Sequence, residues 1–82
     1  MRAEEIRQHV RAVPFRPLRV FLSDGSVHEV PHPELALISI QHLMIAKNLR
    51  ADGMPRDVVV CDPMHVTRIE LATANGGSGP PA

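Results

Sequence analysis

The residues His28-Glu29-Val30-Pro31-His32 spell the pattern H-E-x-x-H. On a helix this spacing sets two imidazoles on one face, within reach of one zinc ion, with the glutamate beside them as general base. The neighbouring residues predict something else. Pro31 lies inside the pattern and Pro33 follows it directly. Each proline drives its predecessor out of the α region, and Pro31 would disrupt a helix interior. Upstream, Phe21 to Val30 reads as two strands folded about Asp24-Gly25, a strong short hairpin signal. His28 is therefore expected on a strand and His32 just past its end. A looser metal site would draw on His28, His32 and His65. The plainer expectation is polar residues on a strand face and in a loop, holding no metal or cofactor.

Cys61 and His65 stand four apart, a spacing that raises a thiol nucleophile with a nearby base. Catalysis needs an exposed thiol whose proton is drawn away. Cys61 instead follows three valines, where a buried, inert cysteine is the ordinary outcome. As the single cysteine it forms no internal disulfide, which fits a reducing cytoplasm. Asp24, Asp52 and Asp57 do not follow a calcium-loop spacing. Gly76, Gly77 and Gly79 make neither a phosphate loop nor a dinucleotide fingerprint. The expectation is a protein that is not an enzyme.

Arginines are the third candidate set. The formal charge of the chain is zero, but Arg2, Arg7, Arg11, Arg16 and Arg19 crowd its beginning, opposed there only by Glu4 and Glu5. They form either a solvated helix face or a phosphate-binding one. With Phe15 and Phe21 the only aromatic residues, a base-stacking platform is not expected.

The elements that must position these residues are short. Ala3, Ile6, Val10 and Val13 recur at helical spacing, predicting an amphipathic helix over 3–12, with Glu4 and Glu5 at its positive end and Arg11 at its negative end. Pro14 and Pro17 end it. Leu18, Val20 and Leu22 alternate with Arg19, Phe21 and Ser23, as in a half-buried strand. The returning strand places Val27 and Val30 at opposite parity, which predicts a bulge or bend. The prolines around His32 break the ladder. Extended chain follows over 35–40, and 43–49 reads as a strand, although Gln41-His42 between them is poor turn chemistry. Residues 50–57 read as a polar loop and 58–62 as a β-branched strand. Residues 66–71 read as a last strand that must twist or bend to set Val66 apart from Arg68 and Glu70. The fold expected is mainly β with one N-terminal helix: a small, strongly bent SH3-like or Sm-like barrel of about five strands over residues 1–72. The Gly/Pro/Ser-rich stretch 73–82 is expected to be a disordered tail.

Two resemblances accompany this reading. The run Pro14-Phe15-Arg16-Pro17, the Asp24-Gly25 turn, Pro31-His32-Pro33 and the closing Val66-Thr67-Arg68-Ile69-Glu70 resemble a family of short bacterial proteins with no established activity. The order of elements is also similar to the Sm-like fold of the Hfq family of bacterial RNA chaperones. That likeness implies rings made by strand-edge pairing and RNA bound on ring faces. The lysine-histidine pair that Hfq carries after its fourth strand is replaced here by Asp62-Pro63, and the glycine of its bent second strand is missing.

The expected function is a non-catalytic binding or assembly module whose partner is itself, as a homo-oligomer, or another protein. The alternative is an Sm-like RNA-binding protein using the basic N-terminal helix. A metal-dependent enzyme is the remote third. The chain holds no apolar run of membrane-spanning length, and its first residues lack the apolar core of a signal peptide. A cytoplasmic protein without membrane contact is expected.

Overall fold

The computed structural model describes residues 1–72; the tail expected over 73–82 lies outside them. Helix α1 spans Ala3–Val10 and buries Ile6 and Val10. It stops two residues short of the predicted 3–12, and Val13 is 96% exposed rather than part of the buried stripe. Pro14 is the reason, since the residue before a proline is pushed out of the helical region. At the other end Arg2 N–H donates to Glu5 Oε1 at 3.0 Å, one half of a capping box.

Six strands follow: β1 (Leu18–Leu22), β2 (Val27–Val30), β3 (Ala36–Ile38), β4 (Leu43–Leu49), β5 (Pro55–Cys61) and β6 (Val66–Leu71). They make two three-stranded sheets, sheet A in the order β2-β1-β6 and sheet B in the order β3-β4-β5. All the pairings are antiparallel. The chain is thus mainly β with one N-terminal helix. It passes from β2 to β3 through a 3-10 turn at Pro33–Leu35 and from β5 to β6 through another at Pro63–His65. Leu18, Val20, Leu22 and Val30 from sheet A meet Leu43 and Ile45 from sheet B, with Ile6, Val10 and Val66 completing the core.

Both Asp-Gly pairs make the same turn. Leu22 N–H donates to Ser26 O and Gly25 N–H to Leu22 O, and Arg50, Met54 and Gly53 repeat these bonds. In each, the aspartate Oδ1 also accepts the N–H two residues on, from Ser26 at 2.9 Å and from Met54 at 3.0 Å. Gly25 and Gly53 share φ 89°, while neither aspartate has positive φ. These are three-residue loops with a left-handed glycine, not the two-residue primed turn that Asp-Gly most simply implies. The second of them turns the expected polar loop 50–57 into a hairpin, so β5 begins at Pro55 rather than at Val58. A proline is tolerated as the first residue of an edge strand.

The parity conflict in β2 resolves without a bulge. Its register against β1 is unbroken, with Phe21 opposite Val27 and Val20 opposite His28. Val27 faces out and His28 takes the core-side position. The register shift falls instead between β1 and β6, where Phe21 pairs with Arg68 and Leu22 with Val66. Thr67 is the extra residue, and its Oγ1 donates to Phe21 O at 3.1 Å. This bend buries Val66 while leaving Arg68 and Glu70 exposed.

Candidate functional site

His28 stands on the inner side of β2, opposite the buried Val20, yet it is an imidazole. Lys47 occupies a similar position on β4, sharing strand parity with Leu43 and Ile45. Two polar groups at core-side positions need partners, and these two find each other across the sheets. Lys47 Nζ lies 2.9 Å from His28 Nδ1. His28 Nε2 lies 3.0 Å from Ser26 Oγ, and Ser26 Oγ–H donates to Asp24 Oδ1 at 2.6 Å.

Donor and acceptor capacity gives this chain one direction. A lysine ammonium only donates, so His28 Nδ1 accepts and Nε2 carries the proton. Nε2–H then donates to Ser26, whose own proton points to Asp24. The result is a polarised line from a cation on β4 to a carboxylate in the turn before β2. Desolvation pushes the His28 imidazole below the ordinary 6.5, and the Lys47 charge pushes it the same way, against a smaller opposing pull from Asp24. The bonds from Ser26 hold Asp24 below its usual carboxylate value. Ser26 is not activated by this line, because an activated serine gives its proton to histidine, whereas here it gives it to Asp24. The chemistry available is a latch between the sheets that needs neutral His28.

The H-E-x-x-H residues lie on β2 and just past it, so no helical face unites His28 with His32. His32 is exposed before the first 3-10 turn, and His65 sits in the second with Nδ1 3.3 Å from Ser23 Oγ. Among the described residues, no three His, Cys, Asp or Glu side chains converge in a way that could hold a metal ion. Cys61 and His65 do share a hollow of about 330 Å³ with Ser23 and Asp24. Burial pushes the Cys61 thiol up, and Asp62 and Asp24 add to it. A raised value disfavours the thiolate that a nucleophile requires.

The five arginines do not share one surface. Arg2 caps α1 and approaches Glu4 at 4.0 Å. Arg19 lies on the outer face of sheet A, 3.8 Å from Glu29. Arg16 is exposed among the prolines before β1. Arg7 and Arg11 come together, exposed and one turn apart, beside a hollow that α1 forms with β3.

The outer faces of the two sheets differ in kind. On sheet A, Glu29, Arg19 and Glu70 form a cross-strand row. Arg68 lies 4.1 Å over the Phe21 ring and 3.0 Å from Glu70. On sheet B, the matching row is Leu37, Met44 and Val60, with Ala46 and Val58 beside it. Leu37 is 65% and Val60 55% exposed.

The line from Asp24 to Lys47 is not apparent from motif matching. Its trace in the sequence is parity: His28 falls in step with Val30, and Lys47 with Leu43 and Ile45. Compared with family models, with curated proteins and with solved structures, the chain gives no match. Among the described residues, no helix is long and apolar enough to cross a membrane.

Proposed function

We propose that this chain is a non-catalytic binding and assembly module, built as a small SH3-like or Sm-like barrel, that associates with copies of itself. The observation that carries this reading is the apolar row Leu37, Met44 and Val60 on the outward face of sheet B. It ends on β5, the outer strand of that sheet. From Val58 to Cys61 that strand carries no charge. Monomeric proteins ordinarily blunt an open apolar edge with charge, proline or a cover. Pro55, Arg56 and Asp57 do so only at its first end. A second copy pairing with β5 satisfies the backbone edge and covers the row together. The salt-bridged outer face of sheet A has no comparable need of cover.

The barrel reading is supported by the two 3-10 turns. Each passes the chain directly from one sheet to the other, as in a single strongly bent sheet. The RNA-binding alternative draws on Arg7, Arg11 and Arg16. It is the weaker reading, because Arg2 and Arg19 are turned toward carboxylates and the apolar row offers no ring for a base.

Sedimentation at micromolar concentration tests the proposal. The wild-type chain is expected to run above its 9.0 kDa monomer mass, and Val60→Lys is expected to shift it toward the monomer while the fold is retained. A wild-type chain that stays monomeric across the range sinks the self-association reading.

A further inference from the structure

We infer that two copies of the chain join β5 to β5, antiparallel about a two-fold axis at Val59, with Arg56 of each copy opposite Asp62 of the other. The inference rests on the self-association reading and specifies it: which residues stand opposite, and why assembly closes at two copies.

The first observation is the length of β5 that can pair. β5 is the outer strand of sheet B. A proline has no N–H to give to a ladder, and Pro55 and Pro63 stand four residues to either side of Val59. The uninterrupted run of backbone donors is therefore 56–62. Asp62 prolongs the strand, with φ −76° and ψ 135°. Set antiparallel against a copy of itself, this run pairs over its whole length only when Val59 stands opposite Val59.

Charge points to the same register independently. Along β5, Val59 and Cys61 pack against the core, whereas Val58 and Val60 are exposed on the outer face. Alternation puts Arg56 and Asp62 on that outer face as well. A two-fold axis normal to the sheet keeps the outer faces together, so only residues of equal parity stand opposite. About Val59, Arg56 meets Asp62 at both ends of the seam and Val58 meets Val60 between them. About Val58, Arg56 would instead meet Val60, and Asp57 would meet Val59. About Val60, Asp62 would meet Val58, and Asp57 would meet Pro63. Opposite charges directly across a strand pair stabilise it, and a charge set against valine forgoes that. Among the described residues neither Arg56 nor Asp62 has an ion-pair partner. Asp62 Oδ1 accepts Met64 N–H at 2.9 Å, which steadies the carboxylate. On the inner face Asp57 meets Cys61, and its carboxylate already accepts the Asn48 amide.

The seam also prolongs the apolar row. Leu37, Met44 and Val60 of one copy continue into Val58 and Ala46 of the other. Both copies use the same edge, so the contact is self-complementary and closes at a pair rather than propagating as a ring.

Sedimentation and native mass spectrometry of the full chain test this with charge reversals. Wild type is expected at twice its 9.0 kDa mass. Arg56→Glu alone and Asp62→Lys alone each set like charges opposite at both ends of the seam, and each is expected to weaken dimerisation by about tenfold or more. An equimolar mixture of the two variants restores both ion pairs and is expected to form a heterodimer near wild-type strength. Arg16→Glu, exposed before β1, is expected to leave the dimer unchanged. Asp62→Lys also removes the bond to Met64, so Arg56→Lys provides a second test. Positions 56 and 62 of one strand lie about 20 Å apart, so a carbodiimide cross-link between the introduced lysine and Asp62 joins two copies, and it is expected. Wild type that stays monomeric overturns the self-association reading and this inference with it. Wild type that associates while the mixture of folded variants fails to pair, the cross-link fails to form, or the assembly grows beyond two overturns the register alone.

Discussion

Lys47 and His28 hold each other at 2.9 Å across the space between β4 and β2, so that one hydrogen bond ties sheet B to sheet A. The bond exists only while His28 Nδ1 is bare. Protonation fills that nitrogen and sets two cations face to face.

The tie makes stability depend on pH in a definite sense. His28 is held below 6.5 in the folded chain, chiefly by desolvation and then by Lys47. The folded state therefore binds its proton less readily than the unfolded state. Its contribution is full above 6.5 and is lost as pH falls through the lower folded value. Urea unfolding at several pH values from about 7.5 to about 5, a range that brackets a histidine, is expected to show wild type losing stability on acidification. His28→Gln is expected to remove that component of the slope. A His28→Gln chain with the wild-type slope would place the titration elsewhere.

Gly25 is expected to be costly to replace for a reason of backbone alone. Its φ is 89° and a Cβ placed there meets nothing within 4 Å. Gly25→Ala should therefore destabilise by about 1 kcal/mol from conformation, without a clash, and Gly25→Asn by less. Gly53, at the same φ in the same kind of turn, should follow the same order. Chemical denaturation of the four variants checks this. Equal losses for alanine and asparagine would count against the left-handed assignment.

Ile45 and Leu37 offer a matched contrast within sheet B. Ile45 is 0% exposed at the middle of the core, while Leu37 looks outward from β3. Ile45→Ala is expected to cost about 2–5 kcal/mol, a large part of what so small a chain has. Leu37→Ala is expected to stay within about 0.5 kcal/mol at concentrations where the chain is monomeric. Thermal melts read both, and a large loss for Leu37→Ala in the monomer would show that its face is already covered from within.

Much of the fold was legible because period and punctuation agreed. The alternation of β1 and the β-branched composition of β6 marked those strands, and residues 43–49 form a strand over their whole predicted length. Val66 required a bend, and Thr67 supplies it. The failures have local causes. Val13 belongs to the helical stripe by spacing but stands before Pro14, and the proline decides. Pro55 and Asp57 look like loop residues, yet an edge strand accommodates both. The turn into β4 is expected at Gln41-His42, which is poor turn chemistry, whereas Ser39 and His42 close it and Ile40-Gln41 makes the turn. The Ser39 side chain compensates by accepting His42 N–H at 3.0 Å. The inter-sheet line was hardest to see, since it joins residues whose pairing depends on how the two sheets face each other.

The connectivity of the sheets also sets an order of events in folding. Sheet B is a meander, with β3, β4 and β5 consecutive in the chain. Sheet A is closed by β6, which returns from the far end of the described residues to pair with β1. Consecutive hairpins pay little loop-closure entropy, whereas the β1–β6 pairing must close a long loop before any contact repays it. The meander is therefore expected to organise in the folding transition state and β6 to dock afterwards. Substitutions at Ile45 should then slow folding, while those at Ile69 should chiefly speed unfolding. A chevron series on the two positions reads this order directly, and the opposite partition would mean that closure, not the meander, nucleates the chain.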